Sequence, residues 1–219
     1  MPRIEPLGDA ALQLDLAGAE PHRLAALAER ITRAVLPGVI ECVPGFETVT
    51  VHYDPLRLGT GGSSALEREI DGILAGTDET TAPEPGRLIE IPVRYGGEAG
   101  PDLAEVARHA SIDPAEVVRL HAAATYRVQM IGFVPGFPYL SGMDERLGTP
   151  RRDAPRTRVP AGSVAIGGGQ TGIYPIETPG GWHLIGRTSL PLFDPLHDPP
   201  ALLRAGDRVR FRALPPEAP

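Results

Sequence analysis

The side chains best suited to bind or react crowd between Tyr126 and Asp194, and the chain's only tryptophan is among them. The run Gly132-Phe133-Val134-Pro135-Gly136-Phe137-Pro138-Tyr139-Leu140 holds three aromatic rings. Turns at Pro135-Gly136 and Pro138 can bring those rings to one side. Rings on proline-fixed loops lose little entropy on docking, so they suit a ligand wall or an interface anchor; a local hydrophobic plug carries the same signature. Tyr174 and Trp182 extend the set of candidate binding rings.

Trp182-His183-Leu184-Ile185-Gly186-Arg187 alternates as a strand would, with Trp182, Leu184 and Gly186 on one face and His183, Ile185 and Arg187 on the other. Arg187 is placed to clamp a carboxylate through two N–H donors, and His183 to move protons. A salt bridge from this arginine to Glu177 is the structural alternative. Gly167-Gly168-Gly169-Gln170-Thr171-Gly172 offers converging backbone N–H groups, as a phosphate cradle does, and equally a tight turn between strands. Gln170 and Thr171 add hydrogen-bonding side chains there. Near the end of an expected helix, His121 suits either the helix dipole or acid–base work. Arg146, Arg151, Arg152, Arg156 and Arg158 crowd into 13 residues, which suits an anionic substrate, an acidic partner or a solvated loop. Candidates for catalysis are therefore His121, Gln170 and Arg187. Candidates for substrate or partner binding are Phe133, Pro135, Phe137, Tyr139, Arg158, Gln170, Thr171, Tyr174, Trp182 and Arg187.

Composition removes several chemistries. Every one of the 21 basic residues is arginine, so neither a Schiff base nor a Walker-type phosphate lysine is available. Cys42 is the single cysteine, which excludes an internal disulfide and any multi-cysteine metal site, and its strand setting suits an inert thiol. No Ser/His/Asp order or metal-ligand spacing emerges. The net charge is −7, and residues 1–86 carry 14 acids against 6 arginines while the rest carry 14 against 15. That asymmetry predicts two modules and argues against nucleic-acid binding. No run approaches the roughly 20 apolar residues of a membrane span, and no secretory leader is legible, so a cytoplasmic location is expected.

The elements that must position these residues follow from periodicity. Residues 10–16 alternate as a strand; Leu24, Leu27, Ala28, Ile31, Ala34 and Val35 recur at helical spacing; Val39–Val43 and Thr48–Tyr53 read as a hairpin. Ser64 and Glu67 have capping-box spacing for a second helix. The order strand, helix, strand, strand, helix predicts a ferredoxin-like α+β domain over 1–80, completed by a last short strand. Residues 81–86 are the expected linker. A strand over 87–95 opens the second domain, 87–219, and two helices follow, capped by Asp102 and Asp113. From Met130 to Pro195 there are 12 glycines and 9 prolines, leaving room only for short strands at 126–131, 163–166, 173–176, 182–188 and 208–212, as in a compact barrel. Residues 215–219 read as a frayed tail.

The runs Val93-Arg94-Tyr95-Gly96-Gly97-Glu98, Gly100 to Leu103, His121, Gly132 to Leu140, Arg158 to Gly172 and Pro179 to Thr188 resemble the 5-oxoprolinase B-subunit family. That family is also labelled kinase A inhibitor or allophanate hydrolase subunit 1. Leu36-Pro37-Gly38, Val43-Pro44-Gly45 and His52-Tyr53-Asp54-Pro55 extend the likeness over nearly the whole chain. The resemblance implies a cyclophilin-like β-barrel as the second domain. It also implies a subunit, inactive alone, that works with a C-type and an A-type subunit to open the lactam of 5-oxoproline to L-glutamate. ATP and Mg would act at the level of the complex, bound outside this chain. Alternative roles are inhibition of a sensor histidine kinase and service as subunit 1 of an allophanate hydrolase or urea-carboxylase-like system; stand-alone prolyl isomerisation rests on barrel analogy only. Pro138 and His183 stand where the family is expected to carry alanine and glutamine, which favours Arg187 and Gln170 over His183.

Overall fold

The computed structural model describes residues 3–76 and 86–215, apart from the side chains of Pro21 and His22. Of the expected linker only Gly86, and of the expected tail only Pro215, belong to the described residues. The chain divides into two units, Met1–Pro85 and Gly86–Pro219.

The first unit runs β1 (Arg3–Pro6), β2 (Ala11–Asp15), α1 (Pro21–Arg33), β3 (Val39–Pro44), β4 (Thr48–Tyr53) and α2 (Gly62–Ala75). Its antiparallel sheet has the order β1-β2-β4-β3. Period-two alternation puts Leu12 and Leu14 of β2 and Val49, Val51 and Tyr53 of β4 on one face, where they meet Leu24, Leu27, Ala28 and Ile31 of α1 and Leu66 and Ile70 of α2. Three expectations are corrected here. The completing edge strand is β1, ahead of the others in sequence: a short turn through Gly8 (φ +70°) lets it pair with β2 at little entropic cost. Ser64 and Glu67 lie inside α2, whose N-cap is Gly61, so no capping box forms. Helix α1 stops at Arg33, and Val35 is 83% exposed with φ +50°.

The second unit contains β5 (Leu88–Tyr95), α3 (Leu103–Ala110), α4 (Pro114–Ala123), β6 (Thr125–Ile131), β7 (Pro138–Ser141), β8 (Arg156–Val159), β9 (Ser163–Gly167), β10 (Gln170–Ile173), β11 (Thr178–Gly180), β12 (His183–Arg187) and β13 (Arg208–Ala213). Seven strands close a barrel in the order β10-β7-β6-β13-β5-β12-β9, and β8 pairs with β11 in a separate two-stranded sheet. The pairing of β13 with β5 is parallel; the other barrel pairs are antiparallel. Ile91, Val93, Val128, Leu140, Val164, Ile166, Ile185, Val209 and Phe211 fill its interior together with Val106 of α3 and Val117 of α4. The strand expected over 173–176 lies instead at Gln170–Ile173, because the glycine run is a two-residue hairpin turn pairing Gln170 with Gly167. β7, β8 and β11 have no counterpart in the sequence reading. Asp113 accepts from the Glu116 N–H (2.8 Å) and caps α4 as expected, whereas the Asp102 carboxylate caps nothing.

Candidate functional site

On the β9–β12 wall, alternation sends Val164 and Ile166 into the barrel core and Ala165 to a second cluster with Phe137, Val159, Tyr174, Trp182 and Leu184. Four of the sequence-predicted rings meet there. Phe137 lies edge-on to Tyr139 (4.9 Å between centroids), Tyr174 (5.2 Å) and Trp182 (5.6 Å), and Tyr139 touches Trp182 at 5.8 Å. Glycines make this packing possible. A Cβ on Gly167 would come within 2.6 Å of the Trp182 ring, and one on Gly172 within 2.8 Å of Phe137.

Phe133 completes the face differently. It is 59% exposed, its φ is +68°, and the Val134 N–H donates to the Gly132 carbonyl (2.8 Å) across it. A two-residue span of that kind with positive φ is the strained γ-turn, which costs a phenylalanine free energy. The Gly132 N–H to Phe137 carbonyl bond (3.1 Å) and the Phe137 N–H to Val134 carbonyl bond (3.1 Å) hold it. Its ring reaches Phe137 (5.6 Å) and Tyr174 (6.4 Å). The turn thus presents a large ring to solvent at a conformational cost. Pro135 is exposed in the same turn. Gln170 Nε2 donates to Gln129 Oε1 (3.1 Å), a residue turned by the bulge in β6.

His121 and Thr171 are not on this face. Both are fully buried inside the barrel, where the imidazole stacks on Phe211 at 4.5 Å. Thr171 Oγ1 donates to the Ala165 carbonyl (2.9 Å), so His121 Nε2 must donate to Thr171 (2.9 Å) and Tyr95 must donate to Nδ1 (2.8 Å). Burial pushes the imidazole down to about 3 and the Tyr95 hydroxyl up. A neutral imidazole with both nitrogens engaged binds β5, α4 and β10 together; this geometry gives it no path to a substrate proton.

The arginine cluster separates into paired and unpaired members. Arg146 bonds Asp144 (2.7 Å), and Arg158 bonds Glu177 (2.6 Å), the carboxylate expected for Arg187. Arg156 makes two bonds to Asp102 (2.7 and 2.8 Å), and Arg152 a third (3.2 Å). Asp102 also accepts from the Leu184 N–H (2.7 Å), which the bulge in β12 frees from the barrel ladder. Burial raises the Asp102 pKa, and the hydrogen bonds from Arg156 and Leu184 with the charges of Arg156 and Arg152 outweigh it, leaving the carboxyl below its usual range. Arg151 instead lies over Trp182, 6.0 Å from the ring centroid. Sequence reasoning missed Asp102 because its spacing to Glu105 mimics a cap; no local signal links it to arginines 50 and 54 residues away.

Trp182 and Leu184 share one cluster and Ile185 lies opposite, as expected, but the bulge between Leu184 and Gly186 shifts the residues after it by one. His183 is buried and donates from Nε2 to the Pro150 carbonyl (2.9 Å), Ile185 enters the barrel core, and Arg187 is exposed. His183 and Arg187 thus form no joint clamp. In the glycine loop the Gly168 N–H is committed to the Thr149 carbonyl (2.7 Å), and Gly167 pairs with Gln170 across the hairpin.

The chain belongs to the family described as carboxyltransferase domain, subdomain C and D, whose model matches residues 2–203, and within it to the B subunits of 5-oxoprolinase. It is 47% identical to the 5-oxoprolinase B subunit of Bacillus subtilis (strain 168), over 95% of this chain and 91% of that protein. The protein of the same name from Escherichia coli O157:H7 is 49% identical over 94% and 93%. Among solved structures, TTHA0988 superposes with a TM-score of 0.79 at 40% identity; the match covers 95% of this chain and spans 40% of that one. No helix among the described residues is long and apolar enough to cross a membrane.

Proposed function

We propose that this chain is the B-type subunit of an ATP-dependent 5-oxoprolinase, inactive alone, and that its aromatic face forms a site shared with a C-type subunit. An A-type subunit completes the assembly. In this reading the first unit is ferredoxin-like and the barrel cyclophilin-like. The reading rests on the likeness to the 5-oxoprolinase B subunits. The observation that supports this site is Phe133, held exposed in a strained turn beside Phe137 and Tyr174. Opening an unstrained lactam requires activation of its carbonyl. ATP supplies that activation when bound and, with Mg, is held elsewhere in the complex. This chain's part is to seat the ring and exclude water.

Co-expression with C-type and A-type subunits is expected to give 5-oxoproline-dependent ATP hydrolysis with release of glutamate. Equal activity with this chain omitted would remove the basis of the reading.

A further inference from the structure

Of the five arginines between residues 146 and 158, four are neutralised by carboxylates of this chain: Arg146 by Asp144, Arg152 and Arg156 by Asp102, and Arg158 by Glu177. Arg151 has no carboxylate partner among the described residues. It is solvent-exposed, with its guanidinium carbon 6.0 Å from the Trp182 ring centroid. A cation–π contact takes up none of the guanidinium N–H donors, so they remain available to a carboxylate.

The neighbours of this cation suit a ring. Trp182 touches Phe137 at 5.6 Å, and Phe137 touches both Tyr174 (5.2 Å) and the exposed Phe133 (5.6 Å). Burial raises the Tyr174 pKa against the Trp182 backbone N–H and the charges of Arg151 and Arg156, so both cations act on that hydroxyl. A solvent-exposed cation and one exposed aromatic ring, backed by the buried Phe137, Tyr174 and Trp182, complement a small ring that carries an acid group.

We propose that Arg151 is the carboxylate anchor of the shared site: it binds the acid group of the cyclic amide while the exposed Phe133 ring flanks the lactam, with Tyr174 and Trp182 buried behind it. This rests on the 5-oxoprolinase reading. Arg151 is a specificity residue; it recognises the acid and leaves the lactam carbonyl to the activating machinery of the complex.

The test uses the three-protein complex and steady-state ATP hydrolysis, with 5-oxoproline and its carboxamide analogue as alternative substrates. Arg151→Gln is expected to raise KM for 5-oxoproline roughly ten- to a hundredfold, the range of a charge-assisted hydrogen bond. KM for ATP is expected to stay constant, and preference for the acid over its amide to vanish. Arg151→Lys is expected to recover part of that preference, and Arg119→Gln, in an exposed pair on α4, to behave as the wild type. An active Arg151→Gln complex with unchanged KM overturns the proposal and leaves the reading standing. Loss of assembly by size exclusion in that variant also overturns it, since the bound carboxylate would then belong to the partner. An inactive wild-type complex overturns both.

Discussion

His121 has its tautomer imposed by its neighbours: Thr171 is already donating to Ala165, so the imidazole can only donate at Nε2 and accept from Tyr95 at Nδ1. Its folded pKa is depressed, to about 3, against roughly 6.5 in an unfolded chain. The unfolded state therefore binds the extra proton first. Stability from this group is complete above pH 6.5 and is lost as the pH falls toward 3, by up to roughly 1.4 kcal/mol per unit. The urea midpoint is expected to decline from pH 7 to pH 4, with a shallower decline in His121→Phe. Asp102 acts in the same direction at lower pH, because its depressed pKa makes its contribution disappear below about 4. Asp102→Asn removes the charge that Arg152 and Arg156 share and weakens the acceptor of the Leu184 N–H. A loss of about 2–3 kcal/mol is expected by equilibrium unfolding, below the cost of a fully buried pair because both arginines reach water.

Strand β9 carries the aromatic face by leaving out a side chain at Gly167, where Trp182 lies flat. Gly167→Ala must push the ring away, and overpacking of this kind costs about 1–3 kcal/mol. Trp182 is the only tryptophan, so a red shift of intrinsic fluorescence reports the displacement directly. The γ-turn gives an opposite kind of test. Phe133→Gly relieves the positive-φ strain while losing ring contacts, so stability is expected to stay within about 1 kcal/mol of wild type, and affinity for the C-type partner, read by calorimetry, to fall. These elements also mark what a linear reading can reach. Alternation in Thr48–Tyr53 placed Val49 and Val51 in the core, and the turns at Pro135-Gly136 and Pro138 brought Phe133, Phe137 and Tyr139 together. The bulges in β6 and β12 were illegible, since a bulge is set by partners on other strands, and the shift after Leu184 turned Arg187 off the face it was expected to share with His183 and Ile185. His121 and Thr171, 50 residues apart, meet only through barrel closure.

At the scale of the molecule, each unit buries its own apolar cluster: Leu12, Val49 and Ile70 in the first, Ile91, Val128 and Phe211 in the second. A chain of residues 86–219 is accordingly expected to unfold cooperatively on heating and to keep the wild-type tryptophan emission maximum; non-cooperative melting would show that its core needs the first unit. Closure of the barrel depends on β13, which sits between β5 and β6 and pairs in parallel with the first strand of its own unit, Arg208 opposite Leu88. During synthesis, β5 and β6 must therefore wait on the ribosome with open edges until the last strand emerges. Such unpaired edges recruit other chains, so a message that stops before codon 208 should yield an aggregating product and not a partly active one.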